Sequence, residues 1–272
     1  MSATFWEYDT RLGRRWNIDN IYKSWQSNYV CFSNNPINKI DPNGDDDFFN
    51  KDGTYSHSKG KGTSIYVQTD KGNVLFIKVV TNTMSNRFVL AGVTLYYANQ
   101  VGITGKVGVG NSTKSVQDGT LAFTFGEEIY VNVKGGGASS MLNNYNNLKS
   151  VLEHEKDHKA KGHGHNQSSN LEHAGVYLNQ VKDKSFGKTS TDFKEGMVGS
   201  ICNYMSAAAQ EVGGSGGSGN FNQINDMISQ LNSQSKKTGY TFRLVQTQEG
   251  GMNPELDKYE VRASKVKKTD KK

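Results

Sequence analysis

The chain has 272 residues, a net charge of +6 and 34% hydrophobic residues. That is enough apolar material for one large domain or two small ones, and more than a disordered tail would carry. No run of about eighteen apolar residues occurs, so no transmembrane helix is expected, and Met1 to Trp16 lack the basic-then-apolar pattern of a signal peptide.

Residues 1–44 differ from the rest. They hold all three tryptophans and two of the three prolines. Asn34-Asn35-Pro36 and Asp41-Pro42-Asn43-Gly44 are strong turn signals. A segment this short cannot bury so many aromatic side chains alone and reads as the end of something larger. Tyr8-Asp9-Thr10-Arg11-Leu12-Gly13-Arg14-Arg15-Trp16, followed by the N-N-P and D-P-N-G stretches, resembles the C-terminal end of the Rhs (YD-repeat) associated core over residues 5–44. Thr10 stands where that family usually has proline, and an extra arginine precedes Trp16. The resemblance implies that the chain beyond Gly44 is the variable effector of a polymorphic toxin. In some members of that family the core cleaves itself near the D-P-x-G segment, here Asp41–Gly44.

Residues 45–62, acidic and then rich in Gly, Ser and Lys, read as a linker, with His57 solvated. Residues 63–272 read as the effector domain. Ser64–Gln68 and Val74–Val80 alternate as a hairpin about the Asp70–Asn73 turn. Arg87–Val101 has the spacing of a helix packed under a sheet. Lys106–Val109, Leu121–Phe125 and Ile129–Val133 read as strands, the last two forming a hairpin.

Next comes Leu152-Glu153-His154-Glu155-Lys156-Asp157-His158, which contains H-E-x-x-H. Met141, Leu142, Tyr145, Leu148, Val151 and Leu152 recur at helical spacing, with Ser139 or Ser140 as N-cap and an end near Gly162. On that helix His154 and His158 stand one turn apart at the border of the apolar face. Two neutral imidazoles so placed bind one Zn²⁺, and Glu155 is the base toward a water on the metal. Ser168–Asn170 caps a second helix running to about Lys184. It offers two candidates for the third ligand: His173, at the border of its apolar face, and Glu172, nearly opposite. The wheel favours His173, while His163 and His165 in the intervening glycine-rich loop are weaker candidates. Tyr177, one turn beyond His173, is a candidate oxyanion donor or simply core.

Residues 189–211 and 221–235 read as helices joined by the glycine-rich 213–219 stretch, and 240–245 and 259–261 as short strands. Lys265, Lys267, Lys268, Lys271 and Lys272 make a solvated basic end without interleaved aromatic residues, so nucleic acid is not an expected partner. Cys31 and Cys202 sit far apart and outside any C-x-x-C spacing, so neither a disulfide framework nor a thiolate metal site is expected.

A small sheet followed by an H-E-x-x-H helix is similar, in motif and order, to zincin-type metallopeptidases. A third histidine at metzincin spacing would fall at Gly164, with its glycine at Lys161, so that subtype's pattern fails. A glutamate on the following helix would match the gluzincin arrangement. The expectation is an α+β, zincin-like fold: a small, mostly antiparallel sheet on the active-site helix, with a helical C-terminal part. Motif and resemblance together imply a zinc metallopeptidase with Glu155 catalytic and His154 and His158 on the metal, and the wheel adds His173 over Glu172 as the third ligand. It would be a secreted antibacterial effector delivered into a target cell, attached to the rest of the Rhs shell. Its substrate would be a protein or a cell-wall peptide bound along a strand edge within 121–133. A cognate immunity protein would cover the cleft. The alternatives are a metal-dependent nuclease toxin and a non-catalytic binding module.

Overall fold

A computed structural model describes residues 46–112, 120–163, 168–214, 217–248 and 257–266, with backbone alone for 2–3, 6–9 and 14–15. Three short strands, β1 (Ser2–Ala3), β2 (Trp6–Asp9) and β3 (Arg14–Arg15), pair in that order. The remaining residues of the 5–44 segment, with its boundary at Gly44, lie outside the described residues, as do Cys31 and His165.

The expected linker is instead part of a sheet. Strands β4 (Asp46–Phe49) and β5 (Tyr55–Lys59) form a hairpin. They join β6 (Ile65–Thr69) and β7 (Gly72–Leu75) in the order β5-β4-β6-β7. The acidic run hides a strand because one of its carboxylates is buried. Asp47 accepts hydrogen bonds from the Tyr97 hydroxyl at 2.5 Å and from Ser58 at 2.6 Å, partners that only folding supplies. On the inner face Asp47 lies beside Ile65 and Phe49 beside Val67. On the other face the same register lines up His57, Phe48 and Tyr66 across three strands, with ring centroids 4.8 and 5.0 Å apart. His57 is thus half-buried in a stack, not free in a loop.

Helix α1 (Met84–Gln100) is capped by Thr83, whose side chain accepts from the Asn86 amide. It buries Val89, Leu90, Val93 and Tyr97. It sits directly on the β4–β5 turn, where Gly53 has φ of 81° and a Cβ would lie 2.5 Å from the Val89 carbonyl oxygen. Gly53→Ala meets both a left-handed backbone and a backbone clash. It is expected to lower stability by at least about 1–3 kcal/mol, read from the urea midpoint.

The second sheet has the order β8-β10-β9, from β8 (Val107–Gly110), β9 (Ala122–Phe125) and β10 (Glu128–Asn132). The β9–β10 hairpin is as expected, but β8 pairs with β10 in parallel, as β4 does with β6. The strands therefore form several small mixed sheets, although most pairings are antiparallel. Period-two alternation reads the same for either direction, so local pattern does not reveal the parallel pairs.

Helices α2 (Tyr145–Ala160), α3 (Asn170–Lys182), α4 (Thr191–Gly213), α5 (Asn222–Ser233) and the single turn α6 (Ser235–Thr238) follow. The expected cap at Ser139 or Ser140 belongs to a 3₁₀ turn, Ser140–Asn143. The cap of α2 is Asn144, which accepts from the Asn146 and Asn147 amides. Asn144 also donates to Thr63 Oγ1 at 2.9 Å, and the Tyr145 amide donates to the Thr63 carbonyl, so the first sheet anchors the start of α2.

Buried Asn147 carries the anchoring to α4. It donates to Ser190 Oγ at 3.0 Å and accepts from the Ser190 amide, and Ser190 caps α4. The chain ends, among the described residues, in the hairpin β11 (Tyr240–Gln248) and β12 (Lys258–Lys265), longer than the pattern suggests. Its amides at Tyr259 and Val261 donate to Gln210 and Ser206 of α4, side-chain partners that extend β12 beyond its own apolar residues.

Candidate metal centre

Helix α2 presents His154, Glu155 and His158 toward its neighbours, all three buried. His154 and His158 approach through their Nε2 atoms, 3.1 Å apart. Helix α3, after its capping box, brings His173 to the pair, and one ligand atom from each of the three imidazoles lies within 4.8 Å of the others. The side of α3 that faces α2 also carries Tyr177 and Gln180, one and two turns beyond His173, with the Tyr177 ring 4.5 Å from that of His154. Asn179 Nδ2 donates to Asp157 Oδ2 of α2 at 3.0 Å and ties the two helices together.

The other ring nitrogens of the three histidines face outward to partners. His154 Nδ1 lies 3.1 Å from Gln180 Oε1, His158 Nδ1 2.9 Å from His163 Nδ1, and His173 Nδ1 3.4 Å from Ser168 Oγ. Tyr204 of α4 stacks on His173, centroids 4.0 Å apart and planes within 8°. An imidazole that would otherwise rotate is thereby held by a helix remote in sequence.

Glu172, the competing candidate, is at the third position of α3 and exposed. Its Oε2 accepts from the Ser169 amide at 2.8 Å while its own amide donates to Ser169 Oγ. The carboxylate is spent on the helix cap, which holds its pKa below the ordinary value. His163 touches the back of His158 instead of joining the converging atoms.

Burial shapes the charge states. It drives the His154 pKa well below the usual imidazole value, with the nearby His158 and His173 adding to the effect. His158 falls to about 3 and His173 to about 4, again chiefly from burial. All three are therefore neutral near pH 7, the state in which imidazole binds a metal. Burial pushes Glu155 up to about 7, partly offset by Thr124, whose Oγ1 donates to Glu155 Oε2 at 2.8 Å.

The residues fit a metal ion. Two nitrogens at bonds of about 2.0–2.1 Å from a tetrahedral ion stand roughly 3.3 Å apart, close to the 3.1 Å separation of the two Nε2 atoms. Three neutral imidazoles, two of them buried and one half-buried, that converge within 4.8 Å have the chemistry of a cation site.

Some participants are not evident from the sequence pattern alone. Gln180 and Thr124 are polar residues at inward positions of a helix and a strand, and that mismatch is the signal that could have found them. Tyr204 falls among the apolar positions of α4, and nothing in its spacing points to His173. Tyr177 is half-buried, with its pKa raised to about 12 chiefly by burial.

An α+β domain with imidazoles converging on one point, and a buried carboxylate on the same helix as two of them, has the makeup of a metallohydrolase. A family model described as Metallopeptidase toxin 2 matches residues 47–243, well over half of the chain. The chain belongs to that family of metallopeptidase toxins, whose work depends on a metal cofactor. No curated protein and no solved structure matches it. No helix among the described residues is long and apolar enough to cross a membrane.

Proposed function

We propose that the chain is a zinc-dependent hydrolase of amide bonds, the toxic C-terminal effector of an Rhs-type antibacterial polymorphic toxin. The observation that carries the chemistry is the meeting of His154, His158 and His173, with Glu155 buried on the helix that bears the first two, in a member of a metallopeptidase toxin family. In this reading His154 Nε2, His158 Nε2 and His173 hold Zn²⁺ and Glu155 is the catalytic base. When bound, such an ion would supply Lewis-acid chemistry, polarising the scissile carbonyl and lowering the pKa of the attacking water.

Glu155 accepts the proton of that water and passes it to the leaving nitrogen. Thr124 engages one carboxylate oxygen, which orients the other for the transfer. A base whose pKa lies close to neutral suits both halves of the exchange. Burial of the pair of histidines and Glu155 limits competing water.

Strand β9 lies at the edge of its sheet and touches α2 through Thr124. An extended peptide added along that edge would pass the base with main-chain hydrogen bonds that do not read its sequence. The substrate in this reading is a protein or a cell-wall peptide. A cognate immunity protein would cover the same cleft, and the Rhs-like residues 5–44 would join the effector to its shell for secretion into a target cell.

The test is metal analysis of the purified chain beside its cleavage of unfolded protein and peptidoglycan-derived peptides, before and after a chelator. One zinc per chain is expected, with cleavage abolished by the chelator and restored by Zn²⁺. Cleavage that survives metal removal, or degradation of nucleic acid with Mg²⁺ and none of peptides, would overturn the proposal.

A further inference from the structure

Gln180 is buried, at 2% exposure, in the interface of α3 with α2. Its position on a face otherwise made of Ala174, Tyr177, Leu178 and Val181 is costly unless every polar atom is satisfied. All of them are engaged with α2. Its Nε2 donates to the Ser150 carbonyl at 3.0 Å and to Ser150 Oγ at 3.1 Å, and its Oε1 lies 3.1 Å from His154 Nδ1.

These contacts decide the amide orientation. A main-chain carbonyl only accepts, so the amide nitrogen must face Ser150 and the amide oxygen must face His154. An amide oxygen also only accepts. The proton between Gln180 and His154 therefore sits on His154 Nδ1.

We infer that Gln180 is a positioning residue of the metal site, holding His154 in the tautomer whose Nε2 lone pair faces the ion. The inference rests on the metallopeptidase reading above and adds the residue that readies its first ligand. His158 has no such fixed partner, because His163 Nδ1 either donates or accepts. With His154 Nε2 held as an acceptor, His158 carries the proton of the 3.1 Å Nε2–Nε2 contact in the metal-free chain; for His158 Nε2 to serve as a donor to a cation, the neutral ring would carry its proton on Nδ1 instead, where His163 Nδ1 can accept it. Ser150 completes the device: its small, fully buried side chain lets Gln180 reach the α2 backbone one turn before His154.

The experiment compares wild type with Gln180→Leu and Gln180→Glu. Long-range proton–nitrogen spectra of the metal-free chains read the imidazole tautomers, with His154→Ala identifying the His154 signal. Competition with a chromophoric chelator reads the affinity for Zn²⁺. In wild type His154 is expected as Nδ1–H. In Gln180→Leu that tautomer loses its dominance and zinc affinity falls about 10–100-fold. Gln180→Glu, protonated on the oxygen that faces the Ser150 carbonyl, keeps a donor to Ser150 and an acceptor at Nδ1, retains the tautomer and recovers most of the affinity.

A metal-free wild type with His154 as Nε2–H overturns the inference, and so does a Gln180→Leu chain that binds Zn²⁺ as tightly as wild type. Should Gln180→Leu not fold, the wild-type tautomer and the Gln180→Glu affinity decide the matter. A wild type that binds no Zn²⁺ strikes the metallopeptidase reading instead, while the tautomer spectrum still answers for Gln180.

Discussion

Glu155→Gln is expected to lower the rate of peptide cleavage by about a hundred- to ten-thousand-fold and to leave bound metal and thermal stability near their wild-type values. The substitution is nearly isosteric, and the amide oxygen of glutamine still accepts from Thr124 Oγ1, which now lies 2.8 Å from the carboxylate. What is lost is the ability to take a proton from water. Folding should not suffer, because burial already disfavours the charged carboxylate and pushes its pKa to about 7. Cleavage rates measured beside metal content on the same preparations check the expectation. A Glu155→Gln chain that cleaves at the wild-type rate, or kills as efficiently when produced in a susceptible cell, would remove Glu155 from the chemistry.

The second large effect separates two neighbours on α3. His173→Ala should weaken metal binding by more than the 10–100-fold typical of losing an outer-shell partner, because it deletes one of the three nitrogens that meet within 4.8 Å. Glu172→Ala should leave metal affinity unchanged and lower the melting temperature slightly, through loss of the reciprocal cap with Ser169. Tyr204→Phe is the control: it keeps the ring stacked on His173 and should bind metal like wild type. Zinc competition and thermal melts of the three variants read both quantities. The assignment fails if Glu172→Ala sheds the metal and His173→Ala does not.

Much of this site lies within one helix, and that part is legible in the sequence. His154, Glu155 and His158 are set by a spacing that α2 converts directly into one face, and the apolar periodicity from Leu142 to Leu152 marks which way that face turns. The border position of His173 on α3 was readable in the same way, since the wheel already separated it from Glu172. The Ser169 capping box and the β9–β10 hairpin are equally local, resting on hydrogen bonds between residues a few positions apart.

The features missed share one trait: their partners are distant in the chain. Asp46–Phe49 looks like a loop until the Tyr97 hydroxyl and Ser58 pay for the burial of Asp47. Gln180 gains its meaning from Ser150 and His154, Thr124 from Glu155, and Tyr204 from His173. The sequence by itself determined the H-E-x-x-H spacing, the helices that carry His154, Glu155, His158 and His173, and the residue types able to form a metal site. Only the tertiary structure decided that β4 and β5 belong to a sheet, that two strand pairings run parallel, and which side chains orient each imidazole. The reason is physical: periodicity records whether a residue faces inward, whereas a hydrogen bond or ring stack between remote segments exists only after packing has brought them together.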